Sequence, residues 1–101
     1  MNEWSVYIIR CDERFLYTGI TTDVARRVGE HSSGDRKAAK YTRTFSSLAL
    51  VYEVLIGSRS LAAKIEYRIK RLSRQKKEYI VSKGFGREEL MEFVNVDHGG
   101  K

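Results

Sequence analysis

Only three polar residues, Asp12-Glu13-Arg14, separate two runs rich in β-branched and aromatic side chains, Trp4 to Cys11 and Phe15 to Ile20. Both runs alternate with period two, and strands joined by so short a connection read as an antiparallel β-hairpin. The hairpin brings Tyr7 near Tyr17 across its two strands. The turn leaves the register open by a residue or two.

Thr21, Thr22 and Asp23 then supply capping oxygens for a helix that runs to about Ser32, where Ser32-Ser33-Gly34 ends it. At roughly 100° per residue, Val24, Val28 and His31 form one stripe with Arg27 at its flank, while Arg26 points the opposite way. Arg27 is therefore the inward-reaching base, and it shares a face with His31. Asp35 to Ser47 has no period and reads as a basic loop carrying Arg36, Lys37, Lys40, Tyr41 and Arg43. Leu48 to Ile56 is apolar on both faces apart from Glu53, which predicts the central strand of the sheet. Gly57 and Ser58 close it. Ser60 is the expected cap of the next helix, whose core stripe is Leu61, Ile65, Ile69 and Leu72. Glu66 falls at the margin of that stripe beside Ala62 and Ile69, with Lys64, Arg68 and Arg71 elsewhere on the helix. A second short helix is expected over Ser73 to Lys83, broken by Gly84-Phe85-Gly86. Leu90, Phe93 and Val94 predict a small amphipathic turn or helix before a Gly-rich tail.

With 101 residues the chain has room for one domain, which buries roughly 60 to 70% of its unfolded surface. We expect that domain over residues 1–83 and a C-terminal extension over 84–101. One cysteine, Cys11, allows no internal disulfide, and with His31 and His98 it cannot fill a structural zinc site. Cys11 reads as a small buried strand residue, and His98 stands apart from the other candidates. No apolar run approaches the roughly 18 residues of a membrane span, and Met1-Asn2-Glu3-Trp4 lacks a secretory signal pattern. A cytoplasmic location and no membrane partner are expected. The net charge of +6 is unevenly spread: residues 36–83 hold thirteen Lys and Arg against Glu53, Glu66 and Glu78, while the flanking segments are each net −2. Such a field attracts polyanions through phosphate neutralisation and counterion release.

Tyrosine, arginine, histidine and one carboxylate suit phosphodiester hydrolysis. That reaction needs an activated water, neutralisation of charge in the transition state and help for the leaving oxygen, and a metal ion supplies the last two. Arginine pairs with two phosphate oxygens at once. Tyrosine, with an ordinary pKa of about 10, serves as a base only where nearby cations stabilise its phenolate. No carboxylate cluster accompanies Glu66, so one metal at most is expected. The loop around Tyr41 suits base stacking or backbone contact. Taken singly, Tyr7 and Tyr17 would be ordinary strand aromatics, Arg27 an ion-pairing surface residue, and Glu66 a partner for Lys70 four residues on.

Their order resembles a known pattern. Ser5-Val6-Tyr7, Tyr17-Thr18-Gly19, and Thr21-Thr22-Asp23-Val24-Ala25-Arg26-Arg27 with His31 are similar to the signature of the GIY-YIG nuclease superfamily. Ala39-Lys40-Tyr41-Thr42-Arg43, Leu50-Val51-Tyr52-Glu53, and Glu66 followed by Ile69-Lys70-Arg71-Leu72 resemble its small stand-alone branch, and the likeness runs from about Trp4 to Ile80. It implies an α/β fold of the α+β type, a three-stranded antiparallel sheet flanked by helices. It also implies a divalent metal, Mg²⁺ or Mn²⁺, bound through Glu66, and a catalytic set of Tyr7, Tyr17, Arg27, His31 and Glu66. In that set Arg27 steadies the scissile phosphate, Tyr7 or Tyr17 acts as or positions the general base, and His31 assists. Gly19 would let the backbone approach the substrate, with Lys40, Tyr41, Arg43 and Lys70 as further substrate contacts. Ser5-Val6 stands where relatives often have Gly-Ile, and Ile20 stands where many carry a lysine that assists the tyrosine. The function so implied is a metal-dependent endonuclease with little sequence preference, acting on DNA in preference to RNA and drawing specificity from a protein partner. The alternative is a nucleic-acid-binding module or adaptor of the same fold with weak or lost catalysis. The oligomeric state is left open.

Overall fold

The computed structural model describes residues 3–32 and 45–97. In chain order it holds β1 (Trp4–Cys11), β2 (Phe15–Thr21), α1 (Val24–Ser32), β3 (Leu48–Gly57), α2 (Arg59–Lys70), α3 (Arg74–Lys83) and α4 (Arg87–Phe93). The strands form one antiparallel sheet in the order β2-β1-β3, so the expected α+β architecture is present.

The central strand is β1, which corrects the expectation for Leu48–Ile56. Val6, Tyr7, Ile8, Ile9 and Cys11 of β1 are all buried, whereas Leu50 and Leu55 of β3 are 37% and 54% exposed. An apolar strand pattern reports what side chains can be buried, but it does not report how many neighbours a strand has. Asp12 and Glu13 adopt φ of 51° and 61° and turn β1 into β2. The Asp12 carboxylate also accepts from the Ser46 and Ser47 amides at 2.9 and 2.8 Å, anchoring the approach to β3.

The sheet separates two apolar clusters. Val6 and Ile8 face the larger one, built with Tyr52, Ile56, Ile65, Ile69, Ile80 and Leu90. Each fully buried isoleucine there contributes roughly 1.5–3 kcal/mol. Residues of the C-terminal extension, including Leu90, Met91, Val94 and Val96, join this same core. Tyr7, Ile9 and Cys11 face the other side, where Val24 and Val28 of α1 cover them.

Helix ends follow local chemistry. The Asp23 Oδ1 accepts from the Arg26 amide at 3.1 Å and starts α1. For α2 the cap is Ser58 and not Ser60: its Oγ accepts from the Leu61 amide at 3.2 Å. Gly57, at φ 131°, turns the chain immediately out of β3, so the helix begins earlier than periodicity suggested. Ser73 caps α3 in the same way. Arg10 of β1 meets Glu78 of α3 through two bonds of 2.8 Å, tying the sheet to that helix.

Candidate active site

The hairpin register pairs Tyr7 with Gly19 and Ile9 with Tyr17. Because side chains alternate along a strand, both tyrosines project from the face that α1 covers. Their ring centroids are 6.5 Å apart. Tyr7 is 1% exposed, and its phenol lies over the bare backbone of Gly19. A Cβ at position 19 would sit 2.6 Å from the Tyr7 Cζ and closer still to its hydroxyl. The room that glycine leaves is thus taken by Tyr7, not kept for a substrate.

His31, from the last turn of α1, closes the group from above. It is 2% exposed, its Nε2 is 3.0 Å from the Tyr7 hydroxyl, and its ring meets Tyr17 edge-on at 5.4 Å. Burial, aided by the Arg27 charge, holds the imidazole below its ordinary pKa. Burial and then Tyr17 push the Tyr7 phenol up to about 12, against the opposing pull of Arg27. Both shifts oppose proton transfer from Tyr7 to His31, so the pair stays neutral near pH 7. For Tyr7, desolvation outweighs the cation that a phenolate base would need.

Arg27 lies at the flank of the same cluster. Its side chain is 22% exposed against 54% for Arg26, as the helical geometry predicts. Its Nη1 donates to Glu30 Oε1 at 2.9 Å. Burial works against the Arg27 charge, but bonds to Glu30 and Tyr7 hold its pKa above the ordinary value. Glu30 also receives Arg26 at 3.1 Å and is itself 12% exposed. Sequence reasoning passed over Glu30, although its spacing of three from Arg27 and four from Arg26 was the available signal.

The fifth residue arrives from the other layer. Helix α2 packs beside β2, and Lys70 passes the edge of that strand so that its Nζ is 5.6 Å from the centre of the Tyr17 ring. Glu66 accepts from the Lys70 Nζ at 3.1 Å with 22% of its side chain exposed. Its charge raises the Tyr7 pKa, which places it within electrostatic range of the cluster. Among the described residues no group of three His, Cys, Asp or Glu is placed to hold a metal ion. A lone, partly exposed carboxylate nevertheless fits Mg²⁺, which keeps most of its waters and takes one or two protein carboxylates. Lys70 must then give way.

Ile20 pairs with Val6 and packs with Trp4 against the larger core, on the sheet face opposite the tyrosines. Ile20 also lines a cleft with Arg26, Arg27 and Glu30, so a cation there would stand beside Arg27 and not over the tyrosine rings, while Lys70 brings an ammonium to Tyr17 from another direction. Lys40, Tyr41 and Arg43 lie outside the described residues, as do Arg36, Lys37 and His98. No helix among the described residues is long and apolar enough to cross a membrane.

Comparison with known proteins gives the family. Residues 3–79 match the family model described as the GIY-YIG catalytic domain. The chain is 50% identical over 91 residues to a UPF0213 protein of Citrobacter koseri, covering 90% of this chain and 89% of that one. It is 47% identical, with the same coverage, to the UPF0213 protein YhbQ of Escherichia coli. Among solved structures it is similar to the solution NMR structure of the UPF0213 protein BH0048 from Bacillus halodurans, with 42% identity and a TM-score of 0.52. That match covers 96% of this chain and 100% of the other. From the motif order, the sheet and these relatives together, the chain belongs to the GIY-YIG family, in its small stand-alone UPF0213 group.

Proposed function

We propose that this chain is a divalent-metal-dependent endonuclease that hydrolyses phosphodiester bonds in DNA with little sequence preference of its own. Membership of the GIY-YIG family points to nuclease-type chemistry on a nucleic acid, and divalent metals are typical of such nucleases. The observation that carries the finer reading is the gathering of Arg27, Tyr7, Tyr17, His31 and the acid Glu66 around one cluster.

In this reading Arg27, held by Glu30, presents its remaining donors to the scissile phosphate. The neutral Tyr7–His31 pair, buried beneath them, holds the Tyr17 ring and the Arg27 guanidinium in place. Tyr17, half-buried and flanked by Lys70, is the tyrosine that water can reach, and it is the one we assign to proton abstraction. Glu66 would hold the divalent ion, which when bound supplies charge neutralisation and leaving-group help. Lys70 turns from Glu66 toward a substrate phosphate.

One observation favours the rival reading of a binding module without catalysis: Lys70 already places a cation on Glu66. A panel of supercoiled, branched and single-stranded DNA and of RNA, incubated with Mg²⁺ or Mn²⁺, separates the two. Metal-dependent nicking of DNA supports the endonuclease. Binding that weakens with salt, ignores metal and leaves every substrate intact supports the module.

A further inference from the structure

We propose that the cleft between the end of α2, the start of α3 and the segment after α4 is a second phosphate-binding site. It would hold the backbone of the nucleic acid at a distance from the catalytic cluster, and it rests on the nucleic-acid reading above. The cleft measures about 260 Å³ and is lined by Arg68, Arg71, Lys76, Phe93 and Asn95 among others, with no carboxylate in its wall.

Three cations share this space without a counter-charge. Arg10, Arg26, Arg27, Lys70, Arg74 and Arg87 each carry a carboxylate partner. Among the described residues no carboxylate pairs with Arg68, Arg71 or Lys76. Arg68 is pinned by donation from its Nη1 to the Val94 carbonyl at 3.0 Å, which fixes the guanidinium and leaves further donors of its planar fork free. Like charges held together in a walled cleft repel one another, and a phosphate relieves that repulsion while taking donors from both arginines.

Aromatic faces interleave with these cations, which favours a nucleic acid over an acidic protein. The Arg71 guanidinium lies 5.5 Å from the Tyr67 ring, and Tyr67 is 59% exposed. Tyr79 is 47% exposed, packs 5.6 Å from Phe93 in the cleft wall, and has the Lys83 Nζ 5.7 Å from its ring centre. Cations alternating with open rings suit a strand whose bases stack while its phosphates are neutralised.

The cleft also has a route to the catalytic cluster. At roughly 100° per residue, Tyr67 and Arg71 fall between Glu66 and Arg68 on the outer surface of α2. A strand following that surface would cross about half the circumference of a helix roughly 10–12 Å across, some 17 Å.

The test is fluorescence anisotropy with a labelled oligonucleotide in EDTA, so that cleavage plays no part. The comparison is between the unaltered chain, Arg71→Gln/Lys76→Gln, Glu66→Gln and a control, Arg14→Gln, in the hairpin turn. The double variant should bind about tenfold more weakly, and its salt dependence should shrink by roughly 0.7–0.9 per lost phosphate contact. Arg14→Gln should bind nearly as the unaltered chain does, and Glu66→Gln, which frees Lys70, should bind at least as tightly. Unchanged affinity and salt slope in the double variant, or equal competition by poly-glutamate, would overturn the site. Binding lost in the double variant while the unaltered chain never cleaves leaves the phosphate site standing without the nuclease. Glu66-dependent cleavage with normal binding by the double variant leaves the nuclease standing without the site.

Discussion

The Tyr7 phenol lies over Gly19 so closely that a single methyl group at position 19 would fall within 2.6 Å of its Cζ. The motif glycine and the motif tyrosine are therefore one device. Removing the side chain from β2 makes the cavity in which the β1 tyrosine meets His31.

Gly19→Ala should accordingly destabilise the chain by about 1–3 kcal/mol through overpacking, visible as a lower urea midpoint with an unchanged m-value. Tyr7→Ala leaves a hole of its own. In Gly19→Ala/Tyr7→Ala the two costs should be markedly less than additive, because each removes the other's cause. Full additivity would mean that the two residues do not share this space.

Stability should fall on both sides of neutrality. The folded-state pKa of His31 is lowered by burial, so its contribution is present above the ordinary histidine range and is lost as pH falls through the folded value. Tyr7 is shifted the other way, to about 12, so its contribution is present below about pH 10 and is lost as pH rises toward 12, by roughly 2–3 kcal/mol. Urea titrations across pH read both arms, and His31→Phe should flatten the acid arm alone.

Ile20→Lys tests which face of β2 serves the reaction. Because Ile20 packs against the larger core, the lysine should cost about 1 kcal/mol or more and should not increase cleavage. A gain in kcat would show that position 20 reaches the tyrosines.

Lys70 both occupies Glu66 and approaches Tyr17. In Lys70→Ala the metal concentration for half-maximal activity should fall by a factor of about two, in line with the few tenths of a kcal/mol of a helical ion pair. KM for DNA should rise at the same time, which titrations of metal and of substrate report separately.

Much of this arrangement was legible in residue order. Period-two alternation exposed the hairpin, and helical spacing separated Arg27 from Arg26 and placed Glu66 at a core margin. What stayed hidden depends on long-range pairing. Leu48–Ile56 looked central because both its faces are apolar, yet only the sheet order reveals that β1 has two neighbours. Alternation from Tyr17 already put Ile20 on the opposite face, but the consequence for a missing cation needed the packing of that face. Lys70 reaches Tyr17 only because α2 lies beside β2, a tertiary fact no local pattern carries. Gly19 invited a role toward substrate until the register set Tyr7 across from it.

If Glu66 and Arg27 serve one scissile phosphate, both are needed for nicking of supercoiled DNA in Mg²⁺ or Mn²⁺. Rates are compared for the unaltered chain, Glu66→Gln and Arg27→Ala, with folding checked by thermal melting. Metal-dependent nicking should fall by roughly 10²-fold or more in each variant, while oligonucleotide binding by Glu66→Gln persists in EDTA. Nicking that survives both substitutions at the original rate would contradict that shared role.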